Sequence, residues 1–205
     1  MKKRIILLVL PMLMLAVGTA QAQGGLIIGA NMSNLYIDNV DDENSKIGIN
    51  VGLYNRWGAE EGIGLRTELL YSQKGAAAQY NNFLQGSGKY RFNLNYLKVP
   101  AMLSLKAGPL DIHAGPYIGI LLGANVKDVD SDGNINQISE LDRDDFNTID
   151  YGAAVGLGLG FSGGHISLRY NYGMREIGKD GSFAGQATED AKNSALTLSL
   201  GLGLN

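Results

Sequence analysis

Residues 193–204 read Asn193-Ser-Ala-Leu-Thr-Leu-Ser-Leu-Gly-Leu-Gly-Leu204, with leucine at every even position from 196 and Thr, Ser or Gly between. Successive strand side chains point to opposite faces, so this period of two is a β-strand with one wholly apolar face. Gly, Thr and Ser make a poor hydrophobic core. The leucine row therefore faces lipid, and the small polar face points inward.

The same alternation predicts seven further strands. They run at about 26–35, 46–57, 63–72, 90–106, 110–122, 150–161 and 165–174. In the third, Ile63, Leu65, Thr67, Leu69 and Tyr71 oppose Gly64, Arg66, Glu68, Leu70 and Ser72, so charge is confined to the face away from lipid. The fourth changes phase: Tyr90, Phe92, Leu94 and Tyr96 share one parity and Leu97, Val99, Ala101, Leu103 and Leu105 the other, which predicts a bulge near Asn95–Leu97. Pro100 interrupts that strand's ladder. The fifth turns Asp111, His113, Gly115, Tyr117 and Gly119 inward.

Connections of alternating length join these strands. Residues 36–45, 75–89, 123–149 and 175–192 are long and polar, whereas 58–62, 107–109 and 162–164 are short. Long loops on one rim and tight turns on the other are expected of an outer-membrane barrel with both termini in the periplasm. Trp57 and Phe161 lie beside the short turns, and Tyr71, Tyr90, Phe92, Tyr151 and Tyr172 near the long loops, as two interfacial girdles require. The fold expected is all-β, an eight-stranded antiparallel up-and-down transmembrane β-barrel over residues 23–205.

The first 22 residues predict a cleaved signal peptide. Lys2, Lys3 and Arg4 precede an apolar run from Ile5 to Val17, and Ala20-Gln21-Ala22 supplies a small-x-small cleavage site. The run is shorter than the roughly 20 residues a helical span needs. No later run approaches that length, so a closed barrel is the structure left for crossing a bilayer. Losing Lys2, Lys3 and Arg4 moves the net charge from −3 to −6, which argues against nucleic acid as a partner. With no cysteine, disulfides and thiolate metal sites are excluded.

The interior of an eight-stranded barrel is just wide enough to be filled by side chains. The inward parity collects Arg66, Glu68, Lys98, Lys106, Asp111, His113, Asp150 and Arg169, a lumen charge network of both signs. Buried charges persist only when paired, so Glu68 is expected to meet Lys98, and Lys106 to meet Asp111. Such a network acts as a polar plug or lines a selective channel. Eight strands leave little bore, whereas water-filled porins use 16 or more, so a plug is the expectation.

Three further chemistries have partial signatures in the chain. Asp128-Val-Asp-Ser-Asp-Gly133 matches the first half of a calcium loop, with Asp128, Asp130 and Asp132 as ligands; the twelfth position is Ser139, so the second half fails and only weak calcium binding is expected. His113 and His165 are the only histidines, and no nucleophile-elbow motif accompanies them, so no enzymatic activity is expected. The glycines of 152–164 alternate as inward strand positions do, with neither a phosphate-loop lysine nor a following helix.

The stretches Glu68-Leu-Leu-Tyr-Ser-Gln-Lys-Gly75, Leu94-Asn-Tyr-Leu-Lys-Val-Pro100, Gly115-Pro-Tyr-Ile-Gly-Ile-Leu-Leu122 and Arg169-Tyr-Asn-Tyr-Gly173 resemble the PorT-like "porin family" of outer-membrane β-barrels common in Bacteroidetes. The resemblance spans nearly the whole chain after residue 22. It implies residence in the outer membrane, insertion by the barrel-assembly machinery and contact with outer-membrane lipid. Members often carry an acidic residue where this chain has Lys98, and commonly end in an aromatic residue where this chain has Leu204-Asn205. The expected function is structural, adhesive or surface-accessory, exerted by a monomer through long extracellular loops. The alternatives are a narrow porin-like channel and a soluble periplasmic ligand-binding barrel.

Overall fold

The computed structural model describes residues 23–36, 44–58, 60–82, 86–130, 135–179 and 191–204. The signal segment 1–22 lies outside them. Ten strands follow in chain order: β1 (Gln23–Tyr36), β2 (Asn44–Gly58), β3 (Gly62–Lys74), β4 (Ala76–Asn82), β5 (Gly86–Ala107), β6 (Leu110–Asp130), β7 (Ile135–Leu141), β8 (Ile149–Phe161), β9 (Gly164–Glu176) and β10 (Lys192–Gly203). One 3₁₀ turn, Arg143–Asp145, lies between β7 and β8. Among the described residues no helix is long and apolar enough to cross a bilayer.

Eight of the strands close a ring. Each of β1, β2, β3, β5, β6, β8, β9 and β10 pairs antiparallel with the next, and β10 returns to β1. The closing seam sets Ile27 opposite Gly201 and Ala30 opposite Leu198, so the alternating stretch 193–204 supplies the last wall. Closure leaves no unpaired edge within the ring, the condition for a sheet to sit in hydrocarbon. The fold is thus a closed eight-stranded antiparallel barrel, and each expected strand is present.

Outward positions are apolar and exposed. Ile47 is 78% exposed, Ile63 75% and Leu103 67%, and such residues adjoin one another strand after strand into a surface far larger than the apolar patches of soluble monomers. A continuous belt of such residues on every strand requires lipid around it. Trp57 and Phe161 sit at the short-turn end and Tyr151 and Tyr172 at the other, as interfacial anchors would. The hairpins β5–β6 and β8–β9 close on two residues each, 108–109 and 162–163. Gly108 (φ 58°) and Gly163 (φ 84°) supply the positive φ such turns demand.

Two expectations need correction. A register shift does fall between Asn95 and Tyr96, but they face Gly123 and Leu121, so the extra residue is Leu122 on β6. β5 itself runs against β3 without a slip, and Leu94 and Tyr96 point inward, buried. The apolar parity switches because the interior changes character there, from charged to apolar. The second correction concerns the long connections. β5 and β6 span 22 and 21 residues, against 12 to 15 for the other ring strands, and β4 and β7 flank them. Much of 75–89 and 123–149 is therefore strand.

Pro100 has the expected effect. The β3–β5 ladder skips from Ala101 to Lys98 and the β5–β6 ladder from Leu103 to Pro100, a local gap around a residue with no N–H to donate.

Candidate functional site

The inward face of the ring carries charge in layers. At mid-barrel Glu68 on β3 is 1% exposed and lies between two guanidinium groups. Arg66 Nε donates to Glu68 Oε1 at 2.7 Å, and Arg169 of β9 donates through Nη1 to Oε2 at 2.6 Å and through Nη2 to Oε1 at 2.5 Å. β3 and β9 are four strands apart in a ring of eight, on opposite walls. The bidentate fork therefore spans the bore. Fixed planar geometry makes this a strong type of carboxylate pairing, and burial on all sides makes the loss of either partner costly.

Neighbouring groups extend the cluster toward the short-turn end. Asp111 accepts from Ser104 Oγ at 2.7 Å and from Arg66 Nη1 at 3.4 Å. Arg169 Nε donates to His113 Nε2 at 3.4 Å, and Arg66 Nη2 donates to His165 Nε2 at 2.7 Å. Arginine has no acceptor atom, so each histidine must present an unprotonated Nε2. His113 is wholly buried, and the room for it comes from Gly156, where a Cβ would lie 2.6 Å from Nε2.

A second layer lies toward the long-loop end. Lys74 on β3 reaches Asp150 on β8 at 2.9 Å, and Lys98 donates to Asn171 Oδ1 at 2.5 Å. Both ammonium groups stand over the Tyr117 ring, at 4.8 and 4.4 Å from its centre. Around them Asn50, Asn31, Thr197 and Asn171 form a chain: Asn50 donates to Asn31, Thr197 Oγ1 to Asn31 Oδ1 at 2.7 Å, and Asn171 Nδ2 to Thr197 Oγ1 at 3.0 Å. Above this level Leu94, Tyr96, Leu121, Ala124, Phe146 and Ile177 pack into a buried apolar cluster. Phe146 and Ile177 come from the connections after β7 and β9, stitched by Phe146 to Gly178 and by Asn147 side-chain bonds to Glu176 O and Gly178 O. The lumen thus carries an ionic barrier at its middle and an apolar cap at its long-loop end.

The structure places Arg66, Glu68, Lys98, Asp111, His113, Asp150 and Arg169 inside the barrel, with Lys106 half-buried at the short-turn end. Their partners differ from expectation. Glu68 binds Arg66 and Arg169, not Lys98, because the bore is narrow enough for opposite walls to meet. Lys106 does face Asp111 in register, but the carboxylate turns inward to Arg66 and Ser104. Lys74, Arg56 and His165 belong to the interior set as well. Lys74 continues the 66-68-70-72 parity of its strand and His165 the 167-169 parity, so the alternation itself marks them.

Asp132 and the side chains of Asp128 and Asp130 lie outside the described residues. The backbone at 128 and 130 is extended, paired with Tyr90 and Gly88 of β5, with Gln137 of β7 also facing Asp128. Among the described residues no group of three or more His, Asp or Glu side chains converges as a metal set.

The hairpins at the long-loop end form a second candidate surface. Beyond the end of β8, β6 continues past Ile120 to Asp130, paired with β5 on one side and β7 on the other, while β4 covers the far side of β5. At ~3.3 Å per residue the ten residues of β6 past Ile120 in this four-stranded blade extend roughly 33 Å along the strand. Residues 136–140 are all exposed, with Ile138 at 55%.

Comparison with known proteins agrees with this architecture. Residues 19–178 match the family model described as "Outer membrane protein beta-barrel domain". No curated protein matches the chain. Among solved structures, Ail, the attachment invasion locus protein of Yersinia pestis, in a complex with the heparin analogue sucrose octasulfate, is similar at 13% identity and a TM-score of 0.49, covering 90% of this chain and 100% of its own. Neisserial surface protein A is similar at 12% identity and a TM-score of 0.49, with the same coverage.

Proposed function

We propose that this chain, which belongs to the outer membrane protein beta-barrel domain family and resides in the outer membrane, acts at the cell surface through its outer blade, as an adhesive or surface-accessory protein. One observation carries the reading: β5 and β6 run on into a four-stranded blade while the lumen beneath is barred by the Arg169–Glu68 fork. Eight strands leave a bore that side chains can fill, and here the cross-bore fork and the apolar cluster fill it. Long outer loops and short turns support both termini lying in the periplasm, and residues 1–22 act as a cleaved signal. The protein is monomeric and non-enzymatic in this reading, since each histidine is engaged by an arginine inside the wall. Its membership of the PorT-like group of Bacteroidetes rests on the strand motifs alone.

Replacing residues 125–140 by Asn-Gly tests the proposal, since Ala124 and Leu141 are ladder partners that a two-residue turn can join. Cells carrying the shortened chain should keep a folded, heat-modifiable barrel and lose surface adherence. Unchanged adherence refutes the blade's role. Purified protein in a planar bilayer should give no steady single-channel current, and a steady current would sink the closed-lumen part of the reading.

A further inference from the structure

At the short-turn end the interior opens into a cavity of about 410 Å³ inside the strand ring, bounded by the turn residues Gly108 and Gly163. Its charged lining is Arg56, Arg66, Lys106 and a single carboxylate, Asp111, with the neutral His165 ring beside them. We propose that this vestibule is a binding site for a small soluble oxyanion of the phosphate class, entering from the short-turn side.

Charge is the first support. The cavity wall itself carries Arg56, Arg66 and Lys106 against the single carboxylate Asp111. Burying cations in excess is unfavourable unless an anion joins them. Second, the Asp111 oxygens are already held by Ser104 and Arg66, so Lys106 stands opposite Asp111 without an ion pair to it. Third, the donor types suit the ligand. Planar guanidinium groups and a mobile ammonium on one concave wall are the usual means of holding phosphate oxygens. Arg56 and Arg66 are 5% and 2% exposed, and Arg56 is fixed by bonds to Ser104 Oγ at 3.2 Å and Gly62 O at 3.0 Å, so the wall is preorganised. The volume falls in the range of small-ligand pockets. A lipid headgroup is disfavoured as occupant, because the cavity lies inside the ring and its acyl chains would have to cross the periplasmic rim.

Amide NMR of the full-length mature barrel in neutral detergent, titrated with inorganic phosphate at constant ionic strength against chloride, tests this directly. Saturable shifts are expected at Gly108, Gly160 and Gly163, with Gly119 and Gly123 unmoved. Lys106 is half exposed and holds no other element, so Lys106→Ala should fold. It should weaken binding about tenfold, the value of one charge-assisted hydrogen bond, and Lys106→Arg should restore it. Equal affinity in Lys106→Ala, or shifts that chloride reproduces, would overturn the proposal. So would shifts at these glycines that occur without phosphate and only in phosphatidylglycerol nanodiscs, which would assign the site to lipid.

Discussion

Substituting Glu68 by Gln removes the one carboxylate that holds Arg169 and leaves the shape of the bore unchanged. Arg66 retains Asp111 at 3.4 Å, whereas Arg169 loses one arm of its fork and its only ionic partner, keeping His113 at 3.4 Å. Breaking a buried pair by removing one partner costs about 3–5 kcal/mol, because an uncompensated charge stays buried. The amide carbonyl of the introduced glutamine still accepts one bond, which puts the expected loss near the lower figure. For a chain of 150–250 residues each kcal/mol moves the melting temperature by about 2–4 °C, so a fall of roughly 6–12 °C is expected. The assay is unfolding from lipid vesicles, by heat for the melting temperature and by urea for the free energy, followed by fluorescence of Trp57, the only tryptophan. The double variant Glu68→Met with Arg169→Met removes both charges, and its loss should be well below the sum of the two single losses, since matched apolar replacement of an ion pair is often neutral. A loss under ~0.5 kcal/mol for Glu68→Gln, or additive single losses, would refute the claim that the cross-bore fork is an energetic unit.

Two other substitutions separate the environments the barrel creates. Leu198→Arg, in the middle of the apolar face of β10, should cost about 2–4 kcal/mol in vesicle unfolding, while Leu204→Arg at its end should cost about 0–1; equal costs would contradict the lipid-facing assignment. Lys74→Met strands Asp150 and should lose about 3 kcal/mol or more, whereas Lys98→Met removes an ammonium bonded to a neutral amide and should be neutral or stabilising; the reverse order in the same assay would show that the ion-pair assignments are wrong.

The architecture is legible because lipid demands it in a form one strand at a time can show. Leu196 to Leu204, or Ile63 to Tyr71, needs no knowledge of its neighbours to announce an apolar face, and eight such faces leave a ring as the only sheet without edges. The membership of the interior set is legible for the same reason, since inward parity follows from outward parity. Lys74 and His165 are within reach of that rule too.

Pairing inside the ring follows a different logic. Chain order ranks neighbouring strands, and so it directs Glu68 on β3 to Lys98 on the adjacent β5. In a closed ring of eight, the bore is so narrow that Arg169, four strands and 101 residues away, reaches Glu68 with two hydrogen bonds. Adjacent strands give their side chains parallel directions, while opposite walls point them head-on, which is the geometry a guanidinium fork needs. The parity of Leu94 and Tyr96 misleads on related grounds. An apolar face suggests lipid, but the bore above the charged layers is itself apolar, filled by Phe146 and Ile177 from two long connections. What covers a strand's face from across the ring has no signature in that strand, so the cap, the fork and the cationic vestibule emerge only once the ring is closed.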